Sequence, residues 1–304
     1  MHNHFKHKTD NIMKKLLLTF AIAALSLAGL KAEEKTKVYS FDDITGIEAS
    51  YLYELHIKEG RSGKVSVVYE SEYEKHIRVR YRENEGKLIL ELNDIPDKFK
   101  RGEQPAIHVY LEMDHITSIS LTGAGKAYFD GQFTCDDLHI STSGAAKLSG
   151  LAIKGRNLDL DFSGASKAEV SGTFDNSVEM DISGASKGDF RIKASSLSAE
   201  FSGASNISNE GDIKECIIEC SGAAKVELNG NGDSLEIEGS GACRIDARYF
   251  KVREADIELS GASKAEIHAD EILKYNVSRV SKMVYYGNAK LVNLNNDDNV
   301  VRGN

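Results

Sequence analysis

The 304-residue chain contains no tryptophan, only two prolines and only four cysteines. Four cysteines are too few for a disulfide scaffold of this length. With 28% charged residues it is not a membrane bundle, and with 41% hydrophobic residues it is not disordered. One or two globular domains fit the length. Against this scarcity of proline stand 26 glycines, 20 of them beyond residue 120, whereas Pro96 and Pro105 both precede it. Loop-rich and linker-rich chains enrich both residues together. The second half of this chain therefore requires glycine and excludes proline.

Residues 1–32 read as a leader with a secretory signal. Lys14 and Lys15 precede an uncharged apolar stretch from Leu16 to Leu30, and Leu30-Lys31-Ala32 offers a cleavage site before Glu33. The apolar stretch is short for a membrane span. Met13 is a second candidate initiator, and His2, His4 and His7 precede it. The leader carries five bases and one acid, which leaves 33 bases against 46 acids, a net charge of −13 for the mature chain. Nucleic acid and anionic lipid are poor partners for such a surface. The mature chain carries no visible membrane span or lipid-modified N-terminal cysteine, so the expected location is the periplasm, the cell surface or the extracellular space.

A string of the form Ser-Gly-Ala-Ser/Ala-Lys recurs with its glycine at Gly123, Gly144, Gly164, Gly184, Gly203, Gly222, Gly241 and Gly261. A degenerate ninth copy, Ser278-Arg279-Val280-Ser281-Lys282, carries arginine in the glycine position. Self-similarity at a period near 20 residues is the signature of a solenoid. Apolar residues stand two, four and six positions before the glycine, as in Phe162, Leu160 and Leu158 or Ile182, Met180 and Val178. Others stand four and six after it, as in Val226 and Leu228. Residues between them are mostly charged. This period-two alternation on both sides of a turn predicts two half-buried strands per repeat, not helices. Glycine suits the turn because positive φ costs it nothing. Proline is excluded because stacked strands use every backbone N–H in the ladders to neighbouring coils. A lone coil leaves both its ladders open, so stacking is obligatory.

The expected organisation is a β-rich N-terminal part at 33–113, β-helix repeats at 114–285 and a C-terminal tail at 286–304. The N-terminal part covers one end of the stack, and residues from 279 onward close the other, since open ladder edges invite aggregation. Cys135, Cys216, Cys220 and Cys243 share no stacked position and are expected as buried, unpaired thiols.

Three motifs fail as catalytic signatures. Ser and Lys in the repeated string are spaced four apart, not the three of a Ser-x-x-Lys site. Gly123-Ala124-Gly125-Lys126 lacks the flanking residues of a phosphate loop. His56, His76, His108, His115, His139 and His268 show no pairwise metal-ligand spacing. Neither a catalytic residue nor a cofactor is expected. Two charged rows remain. Three positions after the glycines stand Lys126, Lys147, Lys167, Lys187, Lys225, Arg244 and Lys264, interrupted by Asn206. Before the glycines stand Asp159, Asp161, Glu179, Asp181, Glu200, Glu219, Glu236, Glu238, Asp256 and Glu258. Asp159, Asp161, Glu179, Asp181, Glu236 and Glu238 are weak candidates for sharing a cation, because carboxylates about 5 Å apart can bind Ca²⁺. The plainer reading is a solvated face balanced by the lysine row.

With the signal, the alternating N-terminal strands and turns such as Phe162-Ser163-Gly164-Ala165-Ser166-Lys167, residues 38–285 resemble the auto-transporter adhesin head GIN domain family of Bacteroidetes. The resemblance implies a right-handed parallel β-helix similar to pectin-lyase-like folds, a role in adhesion and no conserved catalytic residues. It departs from the family's surface-displayed members in showing no membrane barrel, stalk or lipid anchor. The expectation is an exported, non-enzymatic β-solenoid acting in binding or adhesion, with a glycan or a protein at the cell surface as partner and homo-oligomers allowed. A polysaccharide-active β-helix enzyme and a periplasmic envelope scaffold are the alternatives. An enzyme would break its own repeat with a long-loop cleft of acids and bases, and here the acids repeat in phase with the fold.

Overall fold

Alternating apolar and charged residues draw the chain into strands that bury one face, and the recurring turn brings successive coils into register. The result is an all-β solenoid of about nine turns, seen in a computed structural model that describes residues 33–94, 107–278, 280–294 and 299–303. Within these, helix is confined to the single 3-10 turns Ser71–Tyr73 and Glu83–Glu85. Glu34–Asn304 form one compact unit. The expected signal at 1–32, both prolines and Arg279 lie outside the described residues.

Parallel register carries each side chain onto its repeat-mate. Leu158, Leu160 and Phe162 pair with Val178, Met180 and Ile182, then with Leu197, Ala199 and Phe201, then with Cys216, Ile218 and Cys220. All are buried. The second corner of the coil is less regular. Four strands run through it unbroken, such as Lys167–Ile182 and Arg244–Leu259, and register shifts there absorb the differences in coil length.

The first corner is a ridge built from the repeated turn. The N–H of Ala165 donates to the Gly144 carbonyl at 2.6 Å, that of Ala185 to Gly164 at 2.7 Å, and so on to Ala262 and Gly241 at 2.6 Å. The turn glycines lie at φ between 69° and 79°. A Cβ added at Gly164 would sit 2.5 Å from the Gly144 oxygen. Glycine is required here twice, by its dihedral and by the approach of the preceding coil.

The N-terminal strands are β1 (Glu34–Ser40), β2 (Gly46–Tyr51), β3 (Tyr53–Glu59), β4 (Lys64–Glu70), β5 (Ile77–Arg82), β6 (Lys87–Leu92), β7 (Ile107–Met113), β8 (Ser118–Gly123) and β9 (Lys126–Asp130). Here the structure refines the expected division. β2 and β3 are themselves a coil of the solenoid, paired in parallel with β8 and β9 on one side and with β6 and β7 on the other. Stack order therefore differs from chain order, since β6 and β7 follow β2 and β3 in sequence yet lie beneath them. The end is covered by antiparallel strands, β5 on β6, and β4 on β7 with β1 beyond it. At the other end Lys282–Tyr286 and Lys290–Asn293 continue the parallel ladders from Lys264–Val277, and Val300–Arg302 pairs with Met283–Tyr285. The C-terminal tail thus extends the stack.

Tyr51 occupies the ridge position of the first coil, opposite Gly123, at φ 65°. The Ala124 N–H reaches the Tyr51 carbonyl at 3.0 Å, longer than at the glycine turns. A residue with a Cβ in this conformation is strained by about 1–2 kcal/mol. Tyr51 is half exposed, so its side chain contributes little packing in return.

All four cysteines are free and buried. Burial pushes the Cys135 thiol up to about 11 and the Cys216 thiol up to about 12. Cys243 Sγ donates to the Ser240 carbonyl at 3.1 Å, and the neighbouring Cys243 together with burial pushes the Cys220 thiol up. Sequence position alone did not reveal that these two meet diagonally.

Two predictions follow the ridge and the thiols. Gly164→Ala should lower stability by more than about 2 kcal/mol, while Tyr51→Gly should change it by less than about 1 kcal/mol. Thermal melts compare them, and equal losses would show that the ridge does not impose the glycine requirement. A thiol reagent at pH 7 should label none of the cysteines in the folded protein and all four after unfolding; fewer than four would reveal a disulfide.

Candidate functional site

The acids of the repeat form two adjacent columns on the face preceding the ridge. The column nearer the ridge runs Asp161, Asp181, Glu200, Glu219, Glu238 and Glu258, each directly opposite the next. From Asp181 to Glu258 these carboxylates line an open groove together with Ser202, Ser221, Ser240 and Ser260 of the turns. All five are exposed. The second column runs His139, Asp159, Glu179, Ser198, Ile217, Glu236 and Asp256. His139 Nδ1 lies 2.8 Å from Asp159 Oδ2. Ser198 and the exposed Ile217 interrupt the acids. Of the weak cation candidates, Asp161, Asp181 and Glu238 thus lie in the unbroken column, and Asp159, Glu179 and Glu236 in the interrupted one.

Across the ridge Lys126, Lys147, Lys167, Lys187, Asn206, Lys225, Arg244, Lys264 and Lys282 stack as a basic column. The ridge thus separates a negative strip from a positive one. Like charges set directly opposite each other in a ladder oppose folding. Both strips cost stability that the buried columns must offset.

The repeat is broken on the outward face of β3 and β7. Parallel pairing places Glu54 opposite His108 and His56 opposite Tyr110. His56 Nε2 lies 3.3 Å from His108 Nδ1, and His108 Nδ1 lies 3.6 Å from Glu54 Oε2. Lys126 Nζ donates to Glu54 Oε1 at 2.5 Å, which raises the Lys126 pKa. The His56 ring stacks on Tyr110 at 4.7 Å and Tyr128 at 5.5 Å. Burial, and then the neighbouring His108, lower the His56 pKa, favouring neutral imidazole. Two histidines that look scattered in sequence are neighbours because β7, 52 residues on, returns beneath β3.

Residues 43–208 and 183–289 both match the sequence profile of the family described as "Putative auto-transporter adhesin, head GIN domain". The chain belongs to that family. The two matches to the head GIN domain overlap at 183–208. A search of curated proteins finds no match. Solved structures similar to this head GIN domain include a "putative adhesin" of Parabacteroides distasonis, with 13% identity, 90% of this chain and 95% of that chain covered and a TM-score of 0.43. Another "putative adhesin", from Parabacteroides merdae, has 15% identity, with 89% and 93% covered and a TM-score of 0.43. A "putative lipid binding protein" of Parabacteroides distasonis has 14% identity, with 88% and 94% covered and a TM-score of 0.43. Among the described residues no helix of the head GIN domain is long and apolar enough to cross a membrane.

The charged columns generate a prediction. Screening the stacked carboxylates should raise the melting temperature between about 0.02 M and about 0.5 M NaCl, and the double substitution Glu219→Gln with Glu238→Gln should raise it at low salt and shrink that dependence. Millimolar Ca²⁺ that raises the melting temperature no further than NaCl of equal ionic strength would leave the column without a shared cation.

Proposed function

We propose that this head GIN domain is a non-enzymatic binding module of the cell envelope, and that its acidic groove engages an extended glycan in adhesion. The observation that carries this reading is the groove from Asp181 to Glu258, where every coil offers one exposed carboxylate and the turns add serine hydroxyls. Coils are about 4.8 Å apart, so the groove presents the same acceptor at a constant step along the stack. A polymer of hydroxylated units can satisfy such a row along its length with charge-assisted hydrogen bonds. The individual bonds are weak against water, and their number supplies the affinity.

The regularity supports binding over catalysis. General acid and general base need different environments, so that one carboxyl keeps its proton while the other loses it. The inner members of the ridge-proximal column, Asp181, Glu200, Glu219 and Glu238, are each flanked by an acid in the coils on both sides. A strip of that kind differentiates no member for proton transfer.

An array of glycans and surface proteins probed with the protein should return a polymeric glycan ligand. The double substitution Glu219→Gln with Glu238→Gln should weaken that binding at least tenfold without lowering the melting temperature. Protease added to intact cells should cut the displayed protein. No array ligand together with full protection on intact cells would discard adhesion.

A further inference from the structure

Outward residues of the solenoid mostly repeat from coil to coil, and the departure at β3 and β7 brings three potential ligands together. One ligand atom from each of Glu54, His56 and His108 lies within 4.8 Å of the others, in the one cluster of this kind among the described residues. Zinc holds imidazole nitrogens at about 2.0–2.1 Å in a tetrahedron, whose edge is then about 3.3 Å. His56 Nε2 and His108 Nδ1 are 3.3 Å apart. The Glu54 oxygen facing them is 3.6 Å from His108 Nδ1, within a small rotation of the same edge.

We propose that Glu54, His56 and His108 form a three-ligand site for a divalent transition metal of the zinc class, with its fourth position open to solvent or a partner. Two imidazoles and one carboxylate suit zinc and its neighbours, and not calcium or magnesium, which take oxygen ligands. The ligands stand on two paired strands, so the backbone ladder sets their spacing. Stacking on Tyr110 and Tyr128 fixes the His56 ring. Lys126 holds Glu54 Oε1 and turns Oε2 toward His108, a supporting contact of the kind that orients metal ligands. Its positive charge also opposes the cation, so the two effects of Lys126 on the site act against each other.

The alternative is a hydrogen bond between two neutral imidazoles with no metal. To separate the two, the untagged full chain is prepared with His2→Ala, His4→Ala and His7→Ala, so that leader imidazoles do not contribute. Titration with Zn²⁺ against a chromophoric chelator should show one equivalent bound, and Co²⁺ should give the intense visible bands of a tetrahedral site. His56→Ala and His108→Ala should each weaken binding at least tenfold and abolish the cobalt bands. Zn²⁺ should raise the melting temperature of the parent and not of His108→Ala. Absence of cobalt bands in the parent, or zinc affinity unchanged by both histidine substitutions, overturns the proposal. Because the site lies outside the acidic groove, its failure leaves the glycan reading untouched.

Discussion

Along the ridge the amide of each alanine after a turn glycine donates to the carbonyl of the turn glycine one coil earlier, at 2.6–2.7 Å. This contact is short because both residues are small and the glycines adopt positive φ. It sets the lateral position of every coil, and with it the register of both flanking strands. A one-residue slip would turn the inward apolar set toward water. Buried columns, the acidic groove and the basic column all inherit their alignment from it. At Tyr51, where glycine is missing, the same contact lengthens to 3.0 Å.

A stack held by parallel ladders ends in open edges. At the N-terminal end the chain changes geometry. β5, β4 and β1 run antiparallel to their neighbours, which lets short connections return the chain across the end. The detour reorders the stack, because β6 and β7 must slip beneath β2 and β3 before β8 resumes the climb. That reordering also places His108 beside His56. The proposed metal site is thus a local product of the way the end is covered, and among the described residues no other coil reproduces it.

The repeats were legible because the turn glycine, the small residue after it and the apolar offsets recur together. Phe162, Ile182 and Phe201 fall inside and Asp161, Asp181 and Glu200 outside, as alternation requires. The first coil was missed because it lacks the turn string. Its apolar offsets were present all the same: Ile47 and Ala49 stand four and two before Tyr51, and Leu55 and Ile57 four and six after it. Reading those offsets without insisting on glycine would have placed β2 and β3 in the stack. The His56–His108 contact was not legible, since it depends on stack order and not on spacing. Nor was the Cys220–Cys243 contact, which joins a position before one glycine to a position after the next.

The two sides of the ridge raise a question of energetics. Alternating charges up each column would relieve the repulsion between opposed like charges, and serine or threonine would remove it while keeping the inward pattern intact. Asp161 to Glu258 instead form six successive acids in one column. The fold does not require them, since Ser120 and Ser141 occupy the same column in earlier coils. A feature that opposes stability and that the fold can dispense with is explained more economically by what it contacts than by what it supports. In the proposed reading the groove's charge serves recognition, and the buried columns and the ridge hold it in place.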